Sequence, residues 1–370
     1  MQIDFHYYAT YCAAYLAGYT HEECMEICYS AQFVDLCTIS FLSKVQGPMA
    51  AATTQLQLEL MDTRTDLLGL QNITRIWSSF HFLPYDLCAD PGRGGKKYRN
   101  KFRLICNTNG ELVSETVKLA KNKSLQAVGI AMHVLADTWA HKYFAGTPSL
   151  VINNASDFCE LIAVDPDNAD GTVSYDEIPI RFRHNPTAPD DPDSHLYTNS
   201  LLQREEASIM NLGHGRAGHL PDYSYIRYRY MPAWDDYRLT EKDNPTDYYR
   251  AFTQMVYAMR YLRGDPETFS VDRYDRETVE PYADRIREIL TKVRLSASED
   301  WKALGEEISG EEIPDFDLER YQDEYISASD DDKDDTFIGR FVQGAIAHKT
   351  MVSHEIYKSG NMLAGFVHEA

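Results

Sequence analysis

Between Ser124 and Gly146 the chain reads His133-Val-Leu-Ala-Asp137-Thr-Trp-Ala-His141, three side chains of metal-ligating type at four-residue spacing. In a helix each step of four turns about 400°, so the three drift only ~40° per step and share one face. Ser124 offers an N-cap, and Gly146 followed by Pro148 offers a stop, so the spacing predicts one helix over 124–145. Its neighbours Val128, Ile130, Ala131, Leu135 and Ala136 are apolar, which places the polar stripe in a mostly buried helix. Burying two imidazoles and a carboxylate is costly unless they hydrogen-bond to one another or hold a cation. Two readings follow: a divalent-metal site, which leads, and an Asp-bridged His pair in a polar core.

Other residues of the same types lie far apart in sequence. Asp4-Phe-His6 opens the first helix, and Asp35 ends the otherwise apolar stretch Ala31-Gln-Phe-Val-Asp35. His81 stands in Ser79-Phe-His81-Phe-Leu-Pro-Tyr-Asp86, and His214 and His219 in Gly213-His214-Gly-Arg-Ala-Gly-His219-Leu-Pro-Asp222. Each alone has an ordinary reading as a cap, turn or core residue; His348 and His354, on the last helix, are read as packing residues. The loop 91–103 carries six basic residues and no acid. It reads either as a solvated loop or as a rim in which Arg93, Lys96 and Lys97 attract an anionic substrate. Arg227 and Arg229, among tyrosines, would flank the same cleft. Segment 165–177 partly resembles a calcium loop, with Asn168, Asp170 and Glu177 at ligand positions but Pro166 where the first Asp is needed, so Ca²⁺ is the weaker reading there. No phosphate-binding Gly-Lys-Ser/Thr loop, dinucleotide fingerprint or Gly-x-Ser-x-Gly elbow occurs.

The elements that must bring these residues together are helical by period. Helices are expected within 5–45, with Thr20-His-Glu-Glu23 as a capping box, and at about 50–70, 110–122, 124–145, 201–212, 246–263, 277–294, 297–308, 315–328 and 335–358. Residues 163–200 are Asp- and Pro-rich and read as an irregular insertion; 222–234 reads as a short extended stretch. The fold class is therefore mainly α, one domain over 1–370 with a metal-site half (1–225) and C-terminal helices (240–370). Seven cysteines without a Cys-x-x-Cys pair are expected to be reduced and mostly buried. The formal charge of −21 (36 basic, 57 acidic residues) disfavours a broad nucleic-acid surface but permits a small anionic or lipid substrate at a local site. No apolar run of membrane-spanning length and no leader-like N-terminus is present, which gives a cytoplasmic expectation.

The order of the motifs — His near the N-terminus, Asp in an early helix, His-Phe after a turn, His-x3-Asp-x3-His on a helix, then a late His-bearing segment — resembles the zinc-dependent phospholipase C and single-strand nuclease superfamily. Within it, the 133–141 spacing is most similar to the branch that includes glycosylphosphatidylinositol-specific phospholipase D, and the Asp-Phe-His-Tyr-Tyr start to a group of uncharacterised bacterial proteins. The resemblance covers residues 4–222 and implies a multi-helix bundle around two or three divalent ions, Zn²⁺ before Mn²⁺, Fe²⁺ or Ni²⁺. It implies Asp35, His81, His133 and Asp137 around one ion, Asp137 bridging to a second held by His6, and His141 with His214 or His219 at a third. The family's processed N-terminal Trp is missing here, and Asp4 is expected to take over its contribution if residues 4–6 are extended. The last family motif is altered too, because Asp222 follows His219 by three residues rather than four. The implied activity is hydrolysis of a phosphoester such as a phospholipid or small phosphodiester, with an ion-activated water and Asp35 as ligand and base. The rival is a non-catalytic helical protein stabilised by metal for partner binding.

Overall fold

The structure, a computed structural model, describes residues 1–56, 67–87, 104–162, 177–180, 212–292, 294 and 296–361. A π-helical turn, Asp4–Ala9, runs directly into α1 (Thr10–Leu16); α2 (His21–Phe33) and α3 (Ile39–Lys44) follow. Then come α4 (Leu67–Phe80), α5 (Glu111–Ala120), α6 (Leu125–Ala140) and a short α7 (Leu150–Asn153). After β1 (Ala155–Ile162) and β2 (Glu177–Ile180) come α8 (His214–Ala217), β3 (Arg227–Pro232), β4 (Thr240–Asp243) and the long α9 (Asn244–Arg263). The C-terminal part adds α10 (Arg276–Val279), α11 (Ala283–Thr291), α12 (Ser298–Ser309), α13 (Gln322–Ser327) and α14 (Phe337–Lys358). The fold is mainly α.

Helix α6 is the centre. Every residue from Val128 to Ala140 is buried, because α2, α5, α9 and α14 all pack against it. Ser124 caps it by accepting from the Ala127 amide, as its sequence predicts, but the helix stops at Ala140 and His141 is its C-cap, short of Gly146. Apolar packing is continuous from Phe5 in the first turn, through Leu135, to Phe252 on α9 and Val352 on α14. The C-terminal helices thus enclose the α6 layer.

Gly129 marks the closest approach of α2 and α6. A Cβ there would lie 2.4 Å from the Ile27 carbonyl oxygen and 2.6 Å from Ser30 Cβ. Beside it the Ser30 hydroxyl donates to the Gln126 carbonyl at 2.8 Å. Gly129→Ala is expected to destabilise the protein by about 3 kcal/mol in urea denaturation, although alanine is the better helix former, because a backbone oxygen must move. Wild-type stability in that variant would mean that the two helices separate at no cost.

A four-stranded antiparallel sheet, in the order β2-β1-β3-β4, lies beside the helices. On β3 burial alternates: Tyr228 and Tyr230 point inward, Arg227 and Arg229 stay half-buried, and Tyr230 stacks on Phe144 at 4.9 Å. Of the extended stretch expected at 222–234, Arg227–Pro232 forms this strand. Four expectations need correction. Residues 52–56 are not helical, so the helix placed at 50–70 is described only from Leu67. The insertion at 163–200 is not wholly irregular, since 177–180 pairs with β1. The stretch 277–294 is divided into α10, a 3-10 turn at Glu280–Tyr282 and α11, at Pro281, which has no amide hydrogen to give. Residues 315–321 are not helical, and only Gln322–Ser327 of the 315–328 stretch forms a helix. Of the helix expected at 201–212, residues 201–211 lie outside the described residues, and Leu212 is not helical.

Candidate metal centre

Most of the chemistry-bearing side chains sit at the ends of elements, where backbone turns can aim them into one space. Asp35 lies in the turn that ends α2, its amide donating to the Gln32 carbonyl at 3.1 Å. His81 immediately follows α4, its amide bonded to the Trp77 carbonyl. His133 and Asp137 lie one turn apart inside α6, with His141 at its cap. His6 belongs to the π-helical turn, His214 opens α8, and Asp222 closes the turn that begins at His219. The last loop is held by α9: Asn244 Nδ2 donates to the Leu220 and Tyr223 carbonyls at 2.8 Å, and the Tyr248 hydroxyl donates to the Asp222 carbonyl at 2.8 Å.

Asp137 is the hub. His6 Nε2 lies 3.2 Å from its Oδ1; His133 Nε2 and His81 Nδ1 lie 3.2 and 3.3 Å from its Oδ2. Asp35 stands on the far side, its carboxylate 3.8 Å from His81 Nδ1 and 3.9 Å from both His133 Nε2 and His6 Nε2. A second group adjoins, with Asp222 Oδ1 at 3.2 Å from His214 Nε2 and 3.6 Å from His141 Nε2. The α-amino group of Met1 is buried between the two groups, 3.0 Å from Asp137 Oδ1, 3.4 Å from His141 Nε2 and 3.6 Å from Asp222.

Three of the imidazoles have their tautomers set by the backbone. His81 Nε2 faces the Thr53 carbonyl at 3.0 Å, His133 Nδ1 the Ala31 carbonyl at 2.8 Å, and His141 Nδ1 the His81 carbonyl at 2.7 Å. A carbonyl only accepts, so each of these nitrogens must donate, and in the neutral ring the other nitrogen presents a lone pair to the cluster. When both rings are neutral, His81 Nδ1 and His133 Nε2 face each other at 3.4 Å, lone pair to lone pair, beside the Asp137 carboxylate. That arrangement is repulsive unless a proton or a metal cation lies between them. His6, fully buried and stacked on His133 at 3.9 Å, makes no hydrogen bond from either ring nitrogen among the described residues. Burial and the neighbouring His133 push its pKa down to about 4, and burial does the same for His141. Burial pushes the Asp137 carboxyl upward, but the surrounding imidazoles and the Met1 amine outweigh it and hold the group well below the usual carboxylate range. The amine is itself raised to about 10: burial opposes its charge, and Asp137, Asp222 and Asp35 outweigh burial.

The donor atoms gather into three cages, the first two sharing His133, each with its ligand atoms within 4.8 Å of one another: His6, His133 and Asp137; Asp35, His81 and His133; and His141, His214 and Asp222. Imidazole lone pairs and three carboxylates, with backbone carbonyls orienting the rings, form a donor set that suits Zn²⁺ and neighbouring divalent ions.

Of the residues singled out in the sequence, Asp35, His81, His133, Asp137, His6, His141 and His214 converge. Asp4 does not. Residues 4–9 form a π turn rather than an extended segment, and the Asp4 carboxylate is carried to the C-terminal part, where it accepts from the Ala297 amide at 3.0 Å. His219 is mostly exposed and stands behind Asp222, its Nδ1 3.3 Å from Asp222 Oδ2, outside the three cages. Arg93, Lys96 and Lys97, like Asn168 and Asp170, lie outside the described residues, and Glu177 begins β2. Arg227 and Arg229 pair with Asp243 and Glu241 on β4. His348 is buried on α14 and its Nε2 donates to the Ser79 carbonyl at 2.7 Å, away from the cages. Asp222 is not among the ligands expected from the sequence, because it follows His219 by three residues where the resemblance asks for four; the structure brings it into the group with His141 and His214.

No curated protein and no solved structure matches the chain. Among the described residues no helix is long and apolar enough to cross a membrane. A family model described as a family of unknown function, DUF6765, matches residues 1–356, nearly the whole chain, which therefore belongs to that family.

Proposed function

We propose that the protein is a metal-dependent hydrolase of phosphoesters, its centre formed by His6, Asp35, His81, His133, Asp137, His141, His214 and Asp222. The single observation that supports this most is the convergence of His81 Nδ1 and His133 Nε2, 3.4 Å apart, on the Asp137 carboxylate, an arrangement that a divalent cation between them would satisfy. Divalent cations held there would supply Lewis-acid charge, acidifying water and offsetting the negative charge that grows on a phosphoryl group in the transition state. The chain's own residues divide the remaining work by exposure. His6, His133 and Asp137 are sealed from solvent and hold position. Asp35 is 28% exposed and His214 23%, so the cluster opens on their side. From there Asp35 orients an attacking water and accepts its proton, and a substrate phosphoryl group can approach.

The likeness to the zinc-dependent phospholipase C superfamily is what favours a phosphoester, and the acidic chain favours a lipid head group or small diester over a long nucleic acid. A closed, purely structural cluster is the second reading, and the burial of His6, His133 and Asp137 is what favours it. Kinetics with bis(p-nitrophenyl) phosphate separate the two. Wild type is expected to turn over, to stop on chelation and to recover with Zn²⁺. Asp35→Asn is expected to lose about 10²–10⁴ in kcat while keeping most of its metal. A metal-replete protein with no turnover of mono- or diesters supports the structural reading.

A further inference from the structure

A second place in the molecule is marked by arginines. Arg227 on β3, Arg250 on α9, Arg276 on α10 and Arg287 on α11 line one depression of about 260 Å³, and no acidic side chain is among the described residues that line it. Four like charges around one hollow are unexpected in a chain with 57 acidic and 36 basic residues. Two of them have carboxylates nearby, Arg227 at 3.1 Å from Asp243 and Arg287 at 3.1 Å from Asp284. Asp243 is already engaged as the cap of α9, accepting from the Thr246 amide and hydroxyl, and Asp284 is fully exposed to water. Arg250 and Arg276 are exposed and make no side-chain hydrogen bond or ion pair among the described residues. The Arg287 guanidinium lies over the Tyr249 ring at 4.7 Å, which holds its fork in place.

We propose that this depression binds a small, multiply charged phosphoryl anion, of the size of a diphosphate. Guanidinium forks match phosphoryl oxygens with paired N–H···O bonds, and four of them concentrate anions locally against the chain's overall charge. The hollow shares no residue with the histidine–carboxylate cluster. The two sites meet adjacent residues of α9: Tyr248 reaches the Asp222 carbonyl, while Tyr249 and Arg250 line the arginine hollow.

The test is calorimetric titration of the full-length protein with inorganic pyrophosphate, for wild type and for the double variant Arg250→Gln/Arg276→Gln. The two side chains are exposed, so the variant is expected to melt at the wild-type temperature. Saturable binding to wild type, weakened by added salt and weakened about tenfold or more in the variant, is the expected result. Pyrophosphate also takes up metal ions, but that contribution is common to both proteins, so the difference between them isolates the arginine hollow whatever becomes of the metal-centre proposal. Cosedimentation with vesicles of phosphatidylcholine and phosphatidate distinguishes the source of the phosphoryl group. Vesicle binding that the variant loses assigns a lipid head group; pyrophosphate binding without vesicle binding assigns a free anion. Equal pyrophosphate affinity in the two proteins, or none in wild type, overturns the proposal.

Discussion

Asp137→Ala is expected to leave the purified protein with less than one bound divalent ion per chain, against two or three in wild type, and to lower phosphodiester hydrolysis by about 10³-fold or more. The size of the effect follows from position. Among the described residues Asp137 is the only carboxylate within 3.3 Å of His6, His81 and His133 together, and it also receives the Met1 amine at 3.0 Å. Its removal takes the carboxylate from the cage it forms with His6 and His133 and leaves three imidazoles converging on a void. A linked thermodynamic effect is expected as well: because bound ions stabilise only the folded chain, a chelator should lower the melting temperature of wild type but barely that of the variant. Elemental analysis and paired melting curves check both parts. Wild-type metal content in Asp137→Ala would remove Asp137 from the centre.

The second large effect concerns what holds the end of α6. Lys242, on β4, is only 2% exposed, and its ammonium donates to the Trp139 carbonyl at 2.8 Å and to Asp247 Oδ2 at 2.9 Å. It ties the last turn of α6, from which His141 projects, to the first turn of α9. Lys242→Met is expected to destabilise the fold by about 3 kcal/mol, since it leaves Asp247 buried with only Lys142, 3.8 Å away, and the Trp139 carbonyl without its donor. The double variant Lys242→Met/Asp247→Leu should recover part of that loss, because it removes the stranded charge along with its partner. Urea denaturation of the three proteins measures this. A single variant within about 0.5 kcal/mol of wild type would mean that water replaces the ammonium at no cost.

How far the sequence spoke for the fold depended on whether the signal was local. The capping box at Thr20 forms as its residues imply, Thr20 N donating to Glu23 Oε2 at 2.9 Å and Glu23 N to the Thr20 hydroxyl at 3.3 Å. The Ser124 cap and the apolar period likewise place α6, and the four-residue steps put His133 and Asp137 on one face. The π turn at Asp4–Ala9 has no such mark. It rotates Asp4 away from the cluster and toward Ala297, which no spacing within residues 1–9 could indicate. The tautomers of His81, His133 and His141 depend on carbonyls at Thr53, Ala31 and His81, all supplied by tertiary packing. Asp222 joins the group through a turn held by Asn244 and Tyr248 of α9, so its role depended on a helix read only as C-terminal bulk. The arginine hollow, assembled from four separate elements, left no trace in any single stretch.

The facing nitrogens of His81 and His133 are expected to share a divalent cation with Asp137. A crystal of the protein grown without chelator, measured above and below the zinc absorption edge, examines that space directly. An anomalous peak is expected between His81 Nδ1, His133 Nε2 and Asp137, and another between His141, His214 and Asp222. A map at that wavelength with ordered water or nothing at both places, and no peak at the edge of another transition metal found in the protein, would contradict it.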